Sequence, residues 1–209
     1  MSGLREKKKK KSEEKIKKAA KEIFLSKSYS ETTMEEIAEK AEIGVGTLYN
    51  YFKSKDEIYI AIMSEEFDFD QEDGVQLEDD IDNDVAKIVI TFIWKSCKGL
   101  KLMGKRVWKE LMSAVLSNSK SNNFLFKGMI RLDYKFINKL KVLLENVKNK
   151  GYLLPNFNTD EAAYTIYSVV MTQFILYIYS EDTTFNSLEN NIENQIRFIF
   201  EGKCVILNK

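Results

Sequence analysis

Gly44, Gly46 and Thr47, followed by Tyr49, Asn50, Tyr51 and Lys55, set two residues without side chains ahead of three hydroxyls, an amide and an ammonium in the stretch GVGTLYNYFKSKDE. Groups of this kind can form hydrogen bonds to a partner. The groups that catalysis uses are scarce. The chain has no histidine and two cysteines, Cys97 and Cys204, which excludes His-based triads, the usual proton shuttles and a zinc site of ordinary composition. Glu110, Asp133 and Glu145 are the acids of the middle helices, and they show no paired spacing for acid–base work. No P-loop or Gly-x-Gly-x-x-Gly motif is present. In FDFDQEDGVQLEDD, a calcium loop begun at Asp68 would put Asp73 where glycine is needed, with Gly74 one residue late, so a solvated interhelical loop is expected there. No cofactor, no metal and no enzymatic activity are expected.

The elements that must position the contact residues read as helices throughout. One proline in 209 residues favours long helices over strands and turns. Ile16, Ala19, Ala20, Ile23 and Phe24 fall on one face of a first helix. Thr33 and Glu36 form a capping box for a second, with Met34, Ile37, Ala38 and Ala41 as its buried stripe. Glu42, Ile43 and Gly44 make a turn, and a third helix runs from about Val45 to Tyr51 with Leu48 and Phe52 inward. Ser54 caps a fourth. Longer helices are expected at about 83–102, 104–118, 121–150, 159–180 and 185–207, with Thr159 capping the fourth of these.

Two short helices joined by a tight turn are a helix-turn-helix, whose second helix enters the major groove of DNA by its N-terminal end. Small residues at 44 and 46 let the backbone come close, and the exposed N–H groups of a helix start attract phosphate.

The span from Ile16 to about Met63 resembles the DNA-binding region of TetR-family transcriptional regulators. The residues that carry the likeness are the first amphipathic helix ending in an aromatic and a Ser-Tyr turn, the threonine pair, Ile37-Ala38, Gly46 through Phe52, and Ser54-Lys55. Glu42 departs from the family pattern, standing where its turn usually has glycine, and Val45 stands where a polar or basic residue is frequent. The resemblance implies an all-α homodimer: a three-helix helix-turn-helix head, and a larger C-terminal domain that binds a ligand and dimerises through its last two helices. It implies that Thr33 touches a phosphate, that Val45, Gly46 and Thr47 face base edges, that Tyr49 and Tyr51 grip the backbone, and that Lys55 contacts phosphate. Asn50 is suited to a single hydrogen bond to a base.

Residues 1–11 are expected to be a basic disordered tail, 12–56 the DNA-binding domain and 57–209 the ligand-binding and dimerisation domain. The net charge of zero conceals a strongly basic start and an acidic segment around 61–84. No secretory segment is read at the start, so a reducing cytoplasmic setting is expected, and the apolar run 169–179 is too short to span a bilayer. Phe92, Met103, Trp108, Met112, Phe124, Met129, Tyr134, Tyr167 and Met171 are core by default and the set from which an apolar ligand cavity would be walled. Tyr164, Tyr167, Val170, Met171 and Phe174, with Ile192, Ile196 and Phe200, are the expected dimer faces. The expected partners are an operator duplex, a hydrophobic or aromatic small molecule and a second copy of the chain. The alternative reading is a helical protein held to a membrane surface or a protein partner by its polybasic start.

Overall fold

The computed structural model describes residues 2–66, 84–117 and 124–205. The acidic segment expected as a loop lies outside these residues. Among them are nine α-helices: α1 (Ser2–Ser26), α2 (Met34–Lys40), α3 (Val45–Tyr51), α4 (Lys55–Glu66), α5 (Val85–Ser96), α6 (Lys98–Ser117), α7 (Phe124–Asn149), α8 (Thr159–Tyr179) and α9 (Phe185–Phe200). The only β pairing among them is a single antiparallel bridge between Leu153 and Cys204. The fold is all-α.

Contacts divide the chain into two compact units, one of Met1–Glu66 and Met103–Ile130, the other of Phe67–Leu102 and Arg131–Lys209. The first unit is built on the expected stripe of α1, since Ile16, Ala19, Ala20, Ile23 and Phe24 are all buried. They meet Ile37 and Ala38 of α2, Leu48 of α3 and Ile58, Tyr59, Ile62 and Met63 of α4 in one core. Phe24, Tyr29 and Tyr59 form an aromatic triangle with centroids 5.3–5.7 Å apart. Lys17 and Lys21 pair with Glu65 and Glu66, tying α1 to the end of α4. Gly128 of α7 comes so close to α4 that a Cβ there would stand 2.6 Å from Cγ1 and Cδ1 of Ile60.

In the second unit α9 packs on both α5 and α8. Its inner stripe, Leu188, Ile192, Ile196 and Phe200, is buried. Arg197 reaches Asp84, the cap of α5, at 3.0 Å. Burial pushes the Cys97 thiol up to about 12, so this cysteine is inert.

Several elements differ from the sequence reading. Residues 2–11, expected as a disordered tail, are the first turns of α1; lysine is a good helix former, and Lys9 meets Glu13 one turn on at 3.9 Å. The single helix expected over 83–102 ends at Ser96, capped by Cys97, and the next is interrupted at Gly104, whose φ of +66° and ψ of 161° only glycine adopts readily. The cap of α8 is Asn158, which accepts from the Glu161 N–H at 3.1 Å; Thr159 instead donates its hydroxyl to Glu145. The last helix stops at Phe200, where Gly202 turns the chain at φ +66° and Lys203 and Val205 pair with the loop at 152–154.

The apolar run at 169–179 is the second half of the 21-residue α8, which is long and apolar enough to cross a bilayer by length and composition. One side of α8 is nevertheless core: Ala163, Ile166, Val170, Phe174 and Ile178 are buried.

Candidate nucleic-acid interface

The presenting helix, α3, is positioned from both of its ends. At its N-terminal side α2 is started by Thr33, whose hydroxyl accepts from the Glu36 N–H at 3.3 Å while the Glu36 carboxylate accepts from the Thr33 N–H at 2.9 Å, the expected reciprocal box. Lys27, and then these bonds, hold the Glu36 carboxyl below its usual range.

The chain leaves α2 through a Schellman turn. Glu42 N–H bonds to Glu39 O at 2.9 Å and Ile43 N–H to Ala38 O at 3.0 Å, which requires the residue between to be left-handed. That residue is Glu42, at φ +52°, the one non-glycine residue with positive φ among the described residues. Its carboxylate pairs with Lys15 at 2.7 Å, and that bond lowers its pKa. The departure from glycine noted in the sequence is thus a departure in composition alone, and the turn geometry is retained.

From that turn α3 buries Leu48 and Phe52 against the core, as their spacing predicts. The opposite face exposes Gly46, Thr47, Tyr49 and Asn50, with Val45 and Tyr51 half-buried at its margins. Tyr49 is 40% exposed and Thr33 is exposed at the start of α2. Neither glycine is demanded by the fold. Gly44 is extended at φ −67°, with a virtual Cβ only in ordinary contact with Thr47, and a Cβ on Gly46 would stand in open space.

Lys55 is differently engaged. Its ammonium donates to the carbonyls of Tyr29 at 2.7 Å, Ser30 at 3.0 Å and Thr32 at 3.1 Å, and lies 4.7 Å from the Tyr29 ring centroid. All three N–H groups are used on the connection between α1 and α2. Burial draws its pKa down, with the Asp56 carboxylate pulling the other way.

Two residues that the sequence reading left out of this site hold the same connection from α6. The Arg106 guanidinium donates to Leu25 O at 2.8 Å, and Glu110 accepts from the Tyr29 N–H at 2.9 Å. An i, i+4 charge pair was the only signal of them in the sequence, and it is common to many solvated helices.

The nine candidate ligand residues are distributed over both units. Met103, Trp108, Met112, Phe124 and Met129 belong to the first unit, and Phe92, Tyr134, Tyr167 and Met171 to the second. Phe92, Met103 and Trp108 are buried core; Phe124 and Tyr134 are exposed. Phe92 and Tyr167 are brought together through Phe136, at 5.5 and 6.1 Å between centroids. Beside them Asp133 accepts from the Tyr167 hydroxyl, and burial raises its pKa. An open cleft of about 560 Å³ lies elsewhere, between α5 and α9 around Asp84, Arg197, Phe198 and Cys204. The expected dimer faces also need correction, because Val170, Phe174, Ile192, Ile196 and Phe200 are buried within the chain. The apolar side chains that α8 exposes are Tyr164, Ile175, Leu176 and Tyr179, and α9 exposes Phe198 to 76%.

Comparison with known proteins places this geometry. Residues 16–62 match the model of the bacterial regulatory proteins of the tetR family. The HTH-type transcriptional regulator TcmR of Streptomyces glaucescens is 36% identical over 62 residues, a match spanning 30% of this chain and 27% of that protein's length. SmeT, the repressor of the Stenotrophomonas maltophilia multidrug efflux pump SmeDEF, shares the fold at a TM-score of 0.65 and 18% identity, over 93% of this chain and 91% of its own. The reduced form of E. coli NemR does so at 0.62 and 16%, over 90% and 96%. The head built by α1 to α4 thus matches, in sequence and in its helix-turn-helix, the tetR-family model of bacterial regulatory proteins, and the chain as a whole shares the fold of solved regulators described as members of that family.

Proposed function

We propose that two copies of this chain bind a pseudo-palindromic operator through α3 and repress transcription, and that a small hydrophobic or aromatic ligand releases them. The observation that carries this reading is Gly46. A glycine inside a helix costs about 0.5–1 kcal/mol relative to alanine. At residue 46 neither the backbone conformation nor a neighbouring atom demands one, so its smallness serves something outside the chain. A surface that must come within reach of base edges is such a thing.

The residues around it suit the same partner. Thr47 and Asn50 can each form a hydrogen bond to a base, Val45 and the Thr47 methyl can meet thymine methyls, and Tyr49 and Tyr51 carry hydroxyls at the flank. A single short helix offers few base contacts, and two-fold symmetry doubles them. The apolar face of α8, with Tyr164, Ile175, Leu176 and Tyr179, supports burial against a second copy. Repression is the role stated for SmeT, and it is extended to this chain on the shared fold. The aromatic cluster of Phe92, Phe136 and Tyr167 supports an aromatic guest, with the Asp133 carboxyl bonded to the Tyr167 hydroxyl beside it.

Gly46→Ala separates this reading from a head that merely folds. The substitution should stabilise the protein by about 0.5–1 kcal/mol and at the same time weaken binding to a duplex selected from random DNA. Tighter or unchanged binding by the variant would count against α3 as the contacting helix.

A further inference from the structure

Tyr29, in the connection between α1 and α2, has both of its backbone groups held by side chains from other helices. Its N–H donates to Glu110 of α6 at 2.9 Å, and its carbonyl accepts from Lys55 of α4 at 2.7 Å. Four residues earlier, Leu25 O is one of the carbonyls that the end of α1 leaves without a partner within the helix. Arg106 of α6 donates to it at 2.8 Å. Arg106 and Glu110 also bond each other at 3.1 Å. The two side chains therefore close a clamp on residues 25 and 29, and four residues beyond stands Thr33, which starts α2.

We propose that Arg106 and Glu110 are positioning residues for DNA binding: from α6, outside the helix-turn-helix, they fix the α1–α2 connection and so set where Thr33 and the first turn of α2 stand. The clamp rests on the turns of α6 that follow Gly104, where the backbone leaves helical geometry. Neither residue is placed in contact with DNA. Both act through the connection they hold. The inference depends on the head binding DNA as proposed above.

The test compares Glu110→Ala with Glu110→Gln in the full chain, using a duplex selected from random DNA and anisotropy titrations over a range of salt. Glu110→Ala should bind about 10-fold more weakly with an unchanged salt dependence, because no phosphate contact is lost. Glu110→Gln keeps an oxygen that can accept from the Tyr29 N–H, although it loses the ion pair, and should recover to within about 3-fold of the parent. Equal affinity of Glu110→Ala and the parent would overturn the proposal. So would a glutamine variant as weak as the alanine one, or a flattened salt dependence. Should Glu110→Ala not fold, Arg106→Met removes only the bond to Leu25 O and the ion pair; about 3-fold weaker binding supports the clamp, and parental affinity refutes it. A parent chain that binds no duplex would overturn the DNA-binding reading and this inference together.

Discussion

Tyr29 and Tyr59 meet edge to face, 5.5 Å between centroids and 82° between planes, and of their two hydroxyls only that of Tyr29 is satisfied. Tyr29 donates to Asp56, whereas the buried Tyr59 hydroxyl has no partner among the described residues. Burial raises the pKa of both phenols. An unpaired buried hydroxyl costs about 1–3 kcal/mol. Tyr59→Phe should accordingly leave stability unchanged or raise it by about 1 kcal/mol, while Tyr29→Phe should lower it by about the same amount. Urea midpoints of the two variants check the contrast.

Glu42 occupies a left-handed position that a side chain enters only at a cost. Glu42→Gly loses the exposed pair with Lys15, which contributes little, and removes the backbone penalty. The thermal midpoint should rise by about 2–4 °C. Because the turn sets the angle of α3, DNA affinity should be retained; a lower midpoint would show that the Lys15 pair outweighs the backbone term.

Lys55 spends its three N–H groups on carbonyls, which gives its loss a particular signature. Lys55→Met should lower stability by about 1–3 kcal/mol in the absence of DNA. The slope of log affinity against log salt should fall by less than about 1, the amount expected for one lost phosphate contact. A full unit lost without destabilisation would assign Lys55 to phosphate instead.

Asp133 carries a pH dependence whose sign is fixed by burial. Its folded pKa lies above the ordinary value, so the unfolded chain ionises first as pH rises and the folded state is progressively disfavoured. Only well below the unfolded pKa of about 3.9, at about pH 2.5, are both states protonated and the penalty gone. Asp133→Asn, which can still accept from Tyr167, should therefore melt about 2–4 °C higher at pH 7 and identically at about pH 2.5. Melting curves at the two pH values decide it; an equal gain at both would mean that packing rather than charge is responsible.

Much of the head was legible in the sequence because its determinants are local. The Thr33–Glu36 box, the inward spacing of Leu48 and Phe52 and the bounds of α3 are each set by residues within a few positions of one another. Neighbouring candidates defeated local reasoning at Asn158 and Thr159, since both can cap a helix and only the fold gives Thr159 a different partner in Glu145. The faces of α8 were illegible for another reason. Apolar residues surround the helix, so periodicity could not tell Val170 and Phe174, which are core, from Ile175 and Leu176, which are exposed. The engagement of Lys55 and Glu110 was out of reach altogether, because their partners are backbone atoms 23–26 and 81 positions away.

The approach of Gly128 to Ile60 has a consequence for how the gene can change. Every missense mutation in the codon for residue 128 adds at least a Cβ, and each one meets the side chain of Ile60 at 2.6 Å. Any such change therefore requires the Ile60 side chain to shift for as long as isoleucine is encoded at 60. Shortening residue 60 to alanine removes all three atoms that a Cβ at 128 would strike, after which a small residue at 128 becomes tolerable. Divergence is therefore easier in the order 60 first and 128 second, the reverse order passing through an intermediate in which Ile60 must be displaced.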